Sequence, residues 1–164
     1  MRSFKRLFCL FCILTLCFGG ACSAPKAKEF SKSGMYITLT DAFAEGKYFN
    51  MTAYYEWEDE DVTVSAIKED FSLLEEEGAS ASLSLEEYAK TLLKASELSA
   101  EIKTEGGLTY FTFEKTPYET TYLYYAVVFR AEDAYWLFQF ACPKESAAEY
   151  TPQFLEWARS VRFE

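Results

Sequence analysis

The stretch Thr120–Cys142, TTYLYYAVVFRAEDAYWLFQFAC, decides the fold. Its two halves read as strands joined at Glu132-Asp133, and both faces of each strand are apolar. Leu123, Tyr125, Val127 and Phe129 share one face of the first strand, and Tyr122, Tyr124, Ala126 and Val128 share the other. In the second strand Trp136, Phe138 and Phe140 oppose Tyr135, Leu137 and Ala141. Side chains alternate across a strand, so a hairpin with one wet face would carry polar residues at every second position. This one does not, which predicts the centre of a sheet covered on both sides.

Working outward, Met35, Ile37 and Leu39 alternate with Tyr36, Thr38 and Thr40, the pattern of a strand. Asp41–Ala44 is too short for a helix and reads as a single turn. Phe49–Trp57 and Val62–Lys68 read as two strands joined by the acidic loop Glu58–Asp61. Asp70–Ala81 reads as a connection with about one helical turn. Ser84-Leu85-Glu86-Glu87 is a capping box, and Leu85, Tyr88, Ala89, Leu92 and Leu93 then recur at helical spacing. That spacing predicts a helix to Glu97. Glu105-Gly106-Gly107 is a hairpin signal between Glu101–Thr104 and Leu108–Thr116. Pro143 ends the aromatic hairpin, and Thr151-Pro152 reads as N-cap and first residue of a closing helix with Phe154, Leu155, Ala158 and Val161 inward.

The chain has 164 residues, and 18% of them are aromatic, too many for a disordered segment. Arg2, Lys5 and Arg6 precede residue 22 and all 26 acidic residues follow it, so loss of the leader takes the formal charge from −10 to −13. Such a surface repels polyanions and excludes nucleic acid as a partner. The sequence contains no histidine. That removes the usual Ser-His-Asp and Cys-His nucleophiles and the commonest zinc ligand.

Arg2, Lys5 and Arg6 lead into the apolar run Leu7–Phe18 and then Gly19-Gly20-Ala21-Cys22, the layout of a secretory signal. The segment resembles the leader of bacterial lipoproteins, in which a small residue precedes the cysteine that becomes lipidated. The resemblance implies a signal peptide over 1–21, cleavage after Ala21, and a diacylglycerol and palmitate anchor on Cys22. Two chains anchor stably where one does not. An uncleaved membrane helix over Leu7–Ala24 and ordinary secretion are the alternative readings. Cys9, Cys12 and Cys17 leave with the leader. Cys142 is then the only cysteine in the domain, which excludes an intramolecular disulfide. Residues 22–33, with Pro25, Lys26, Lys28 and Lys32, read as the lipidated N-terminus and a flexible tether, and 34–164 as the domain.

These elements predict an α+β fold: a mostly antiparallel sheet of about seven strands with helices on both faces. GMYITLTDAF at 34–43, the acidic hairpin, the inserted EEYAKTLL helix, the aromatic hairpin and the closing FLEWARSVRF resemble the PsbP-like family over residues 33–164. That resemblance implies an α-β-α sandwich, in a family that includes lipid-anchored bacterial members. It implies no catalytic residue.

No catalytic residue, cofactor or metal ligand is assigned from the sequence. The run Glu56–Asp61 lacks the glycine and spacing of a calcium loop and reads as a solvated hairpin tip. Cys142 reads as a buried thiol. Tyrosine pairs an apolar ring with a polar tip, and Tyr54, Tyr110, Tyr118, Tyr122, Tyr124 and Tyr135 exceed what a core of this size uses; the first five are the candidate partner-binding residues. The function expected is a non-catalytic binding or accessory module for a protein or cell-envelope polymer. It would be held by acylated Cys22 to the bilayer, on the outer face of a bacterial cell membrane. The alternatives are a small hydrolase using paired carboxylates and a soluble-ligand receptor with a tyrosine-lined pocket.

Overall fold

A computed structural model describes residues 24–164 apart from 77 and 79. Cleavage after Ala21 and lipidation of Cys22 lie outside the described residues. The chain runs β1 (Ala27–Lys32), β2 (Met35–Thr40), β3 (Ala44–Glu45), β4 (Ala53–Trp57), β5 (Val62–Asp70), α1 (Phe71–Glu76) and α2 (Leu85–Ala95). It continues β6 (Ile102–Glu105), β7 (Leu108–Lys115), β8 (Tyr122–Arg130), β9 (Ala134–Pro143), α3 (Ala147–Arg159) and β10 (Arg162–Phe163).

Seven strands form one antiparallel sheet in the order β3-β4-β5-β9-β8-β7-β6. The aromatic hairpin β8–β9 is therefore central, as its two-sided apolar pattern requires. Leu137 opposes Val128 and Phe138 opposes Val127 across it. One face packs Tyr125, Val127, Trp136, Phe138 and Phe140 against Phe154, Trp157 and Ala158 of α3 and against β2. The other packs Ala126, Val128, Tyr135 and Leu137 against Tyr88, Ala89 and Leu93 of α2. Helices thus lie on opposite faces. The connection from β5 through α1 and α2 crosses one face, and β6 to β9 return as a meander to pair with β5.

Four expectations are corrected. The stretch read as tether, within 22–33, forms β1 from Ala27 to Lys32, paired along its length with β2. Phe30 holds it there, its ring 4.8 Å from that of Tyr55. One buried residue in an edge strand leaves little apolar signal among lysines. Strand β2 does not join the large sheet; with β1 and β10 it forms a separate three-stranded sheet that helps α3 roof one face. Its place is taken by β3, which begins at the last residue of the segment read as a turn. Strand β4 begins at Ala53 rather than Phe49, and Phe49 is 85% exposed in the loop before it. Finally, α3 begins at Ala147, so Pro152 lies inside it. The Thr151 hydroxyl donates to the Ala147 carbonyl at 2.7 Å. The carbonyl that loses its helical partner to proline, that of Ala148, lies in the exposed first turn.

Helix α2 follows the predicted chemistry. Ser84 Oγ accepts from the Glu87 N–H at 3.2 Å, and Glu87 Oε2 accepts from the Ser84 N–H at 2.9 Å. This closes the capping box. Arg130 fixes the connection before it. Its guanidinium lies 4.5 Å from the Phe71 ring centre and donates to the Ala81 carbonyl at 2.7 Å. The buried Tyr135 hydroxyl donates to the Leu83 carbonyl at 2.6 Å.

Candidate functional site: a tyrosine-walled trough beside α2

Helix α2 is eleven residues long and packs over β6, β7 and β8, so it covers only part of the sheet. The register shows what it leaves open. On the α2 face one row across the strands runs Tyr54, Ser65, Gln139, Ala126, Phe111. The next runs Glu56, Thr63, Ala141, Tyr124, Phe113. Ala126 and Phe111 lie in the core under α2. The β4, β5 and β9 ends of both rows instead line an open trough of about 610 Å³.

The floor is small and polar: Ser65, Thr63, Gln139 and Ala141. The walls are aromatic. Tyr54 stacks on Tyr48 with ring centres 5.3 Å apart, and Tyr124 lies parallel to Phe113 at 4.9 Å. Tyr54 and Tyr124 stand on strands three places apart, roughly 14 Å at the usual strand spacing. Two loops bracket the opening. The β3–β4 loop carries Tyr48, which is 61% exposed, and the β7–β8 loop carries Tyr118, which is fully exposed. Tyr118 has a φ of 59°, a left-handed conformation that is costly for a bulky residue. At one end the Tyr122 hydroxyl donates to the Asp61 carboxylate.

Among the sequence candidates, Tyr54, Tyr118, Tyr122 and Tyr124 come together in this trough. Tyr110 does not. Its β7 position has the opposite parity from Phe111 and Phe113, so it faces the α3 side, buried, its ring 4.5 Å from that of Tyr125. Its hydroxyl donates to Glu105 at 3.1 Å. Sequence reasoning missed the floor. Gln139 is the polar interruption in β9, and Ser65 is its opposite number in β5; together they mark where helix cover ends.

Burial, and next to it the Glu56 carboxylate, pushes the Tyr54 phenol up to about 12. The hydrogen bond to Asp61 pushes Tyr122 up to about 12, and burial raises Tyr124. Tyr54, Tyr122 and Tyr124 are therefore neutral phenols at physiological pH. Outside the trough, the Cys142 thiol is buried and burial pushes it up to about 11, well above a reactive cysteine. Among the described residues no group of three or more His, Cys, Asp or Glu is placed to hold a metal ion. Among them, too, no helix is long and apolar enough to cross a membrane.

The fold defines the class before any sequence likeness does. Cyanobacterial PsbP from Synechocystis superposes with a TM-score of 0.56 at 15% identity, over 88% of this chain and 96% of that one. The Saccharomyces cerevisiae Ran-binding protein Mog1p superposes with a TM-score of 0.55 at 10% identity, over 85% of this chain and 96% of that one. A Bacteroides thetaiotaomicron protein does so at 0.55 and 16% identity, over 84% of this chain and 48% of that one. The chain therefore has the PsbP-like fold, shared with Mog1p. No protein-family model and no curated protein sequence matches it.

Proposed function

We propose that this chain is a lipid-anchored, extracytoplasmic binding module of a bacterial cell. In this reading palmitate and diacylglycerol on Cys22 hold it to the outer face of the membrane, and the trough engages a protein or cell-envelope partner. The observation that carries the binding reading is the open trough itself: aromatic walls around a polar floor, at the end of the sheet face that α2 leaves bare. Burying such rings releases apolar surface from water while their hydroxyls stay hydrogen-bonded. The leader carries the anchoring reading. The module is read as non-catalytic. Its two bordering acids are Glu56 and Asp61, and Asp61 already accepts from Tyr122.

A photo-reactive phenylalanine analogue at position 118, introduced in intact cells, tests the site. Cross-linking from 118 that disappears with Tyr54→Ala, and is absent from exposed Lys94 on the back of α2, supports the reading. Equal cross-linking from 94, or none from 118 above the dark control, removes it. Replacing Cys22 by alanine tests the anchor: release into the medium or an unprocessed precursor is expected. Membrane retention at the normal mature mass refutes lipidation.

A soluble-ligand receptor is the second reading, favoured by the trough's concavity, since about 610 Å³ lies within the range of small-molecule sites. Its mark is a small molecule that saturates the trough and abolishes cross-linking from 118.

A further inference from the structure

Charge and ring geometry in the trough narrow its occupant. Glu56 and Asp61 border it, and among the described residues Lys115 is the one basic side chain that does so. The body around it is strongly acidic, and a cleft on such a body concentrates cations. The rings free to receive a cation are those of Tyr48 and Tyr118, which are exposed at the opening. The protein already places an ammonium over one ring of the trough, for Lys115 Nζ lies 5.3 Å from the centre of the Phe113 ring. Cations over aromatic faces are held by the ring quadrupole, more firmly where water is displaced.

Resting on the trough being a binding site, we propose that it takes an arginine or lysine side chain presented by an extended segment of a partner protein. Lys115 holds the cation position when the partner is absent. The trough is larger than one side chain, so neighbouring residues of the segment lie along the β5–β9 floor. There Gln139, Ser65 and Thr63 offer oxygen acceptors, and a guanidinium carries five donors in a fixed fork. Asp61 and Glu56 supply the countercharge. A neutral glycan would use the rings and donate its hydroxyls to the carboxylates, but it brings no charge to compete with the Lys115 ammonium. An anionic polymer would use Lys115 and be repelled by the rest.

Lys115 makes the proposal testable by sign. The full chain in detergent is titrated by fluorescence anisotropy against three labelled probes. These are a peptide alternating arginine and glycine, its glutamate counterpart, and a neutral chitin oligosaccharide. The arginine peptide is expected to bind. Asp61→Asn and Tyr118→Ala each weaken it by about fivefold, and Lys115→Met tightens it by a similar factor, because the competing ammonium is gone. Tyr118 is fully exposed, so its loss does not threaten the fold. Glu75→Gln, which removes an exposed acid outside the trough, is expected to change affinity less than about twofold.

Weaker binding with Lys115→Met, or preference for the glutamate peptide, overturns the proposal in favour of an anion. Sugar binding indifferent to Lys115→Met, with the arginine peptide left unbound, overturns it in favour of a neutral glycan. Equal losses from Glu75→Gln and Asp61→Asn reduce it to general attraction by an acidic body. Cross-linking from position 118 without binding of any cationic probe sinks this inference and leaves the binding module standing. Failure of both removes the trough as a site.

Discussion

Tyr55 is 1% exposed on the α3 face of β4, and among the described residues its buried hydroxyl has no hydrogen-bond partner. A buried hydroxyl left unpaired costs about 1–3 kcal/mol of desolvation. Tyr55→Phe keeps the ring contact with Phe30 and is expected to raise stability by about 1 kcal/mol. In urea the midpoint should rise with the slope unchanged; a lower midpoint would mean that the hydroxyl has a partner such as a buried water. Residue type alone could not separate Tyr55 from Tyr54. Strand parity places them on opposite faces, but which face is open depends on which strands a helix elsewhere covers. The same parity removes Tyr110 from the candidate site and keeps Tyr122 and Tyr124 in it.

Among the elements, α2 was the most legible, because its cap and its stripe are local. Ser84→Ala removes the acceptor for the Glu87 N–H and is expected to cost about 1 kcal/mol. The loss should depend on pH. Hydrogen bonds from Ser84, the backbone N–H foremost, hold the Glu87 carboxyl below its ordinary 4.5. A lowered carboxyl stabilises the fold above the unfolded value, and that contribution disappears as pH falls through the folded one. The backbone N–H survives the substitution, so only the part of the wild-type advantage that comes from the Ser84 hydroxyl donating to Glu87 Oε2 at 2.7 Å should be full at pH 6 and shrink as pH drops below about 4.5. An advantage constant from pH 7 to 3 would place the effect in the hydroxyl's acceptance from the Glu87 N–H alone. Less legible were β1, β3 and β10, which are short or carry a single buried side chain. Their pairing is specified by partners far away: Phe163 opposes Met35, and the Glu164 N–H donates to the Gly34 carbonyl at 2.9 Å.

For the molecule as a whole, a tyrosine-rich core makes alkaline stability a distinguishing property. Burial pushes the Tyr55 phenol up to about 12, and Tyr54 and Tyr122 reach about the same value. Burial raises Tyr88 and Tyr150 further still. In the unfolded chain these phenols ionise near 10, so above that pH the unfolded state binds fewer protons than the native one. Stability is thus unaffected by them below about pH 10 and falls as pH climbs from 10 towards 12. Absorbance at 295 nm should show several phenols that ionise only together with the loss of near-ultraviolet circular dichroism. Ionisation of all twelve tyrosines near pH 10 with the fold intact would contradict the burial described.

The sequence by itself determined the sheet's centre, the two-sided cover and the inserted helix. Each follows from periodicity or capping within a single stretch, where neighbours in sequence are neighbours in space. It also set the acidity of the body and excluded histidine chemistry. Only the tertiary structure decided that α2 packs over β6, β7 and β8 and leaves Ser65 and Gln139 open, and that Tyr54 and Tyr124 border one trough. Which strands of a sheet a helix covers is fixed by strand register and crossover, which join residues about seventy positions apart, such as Ser65 and Gln139.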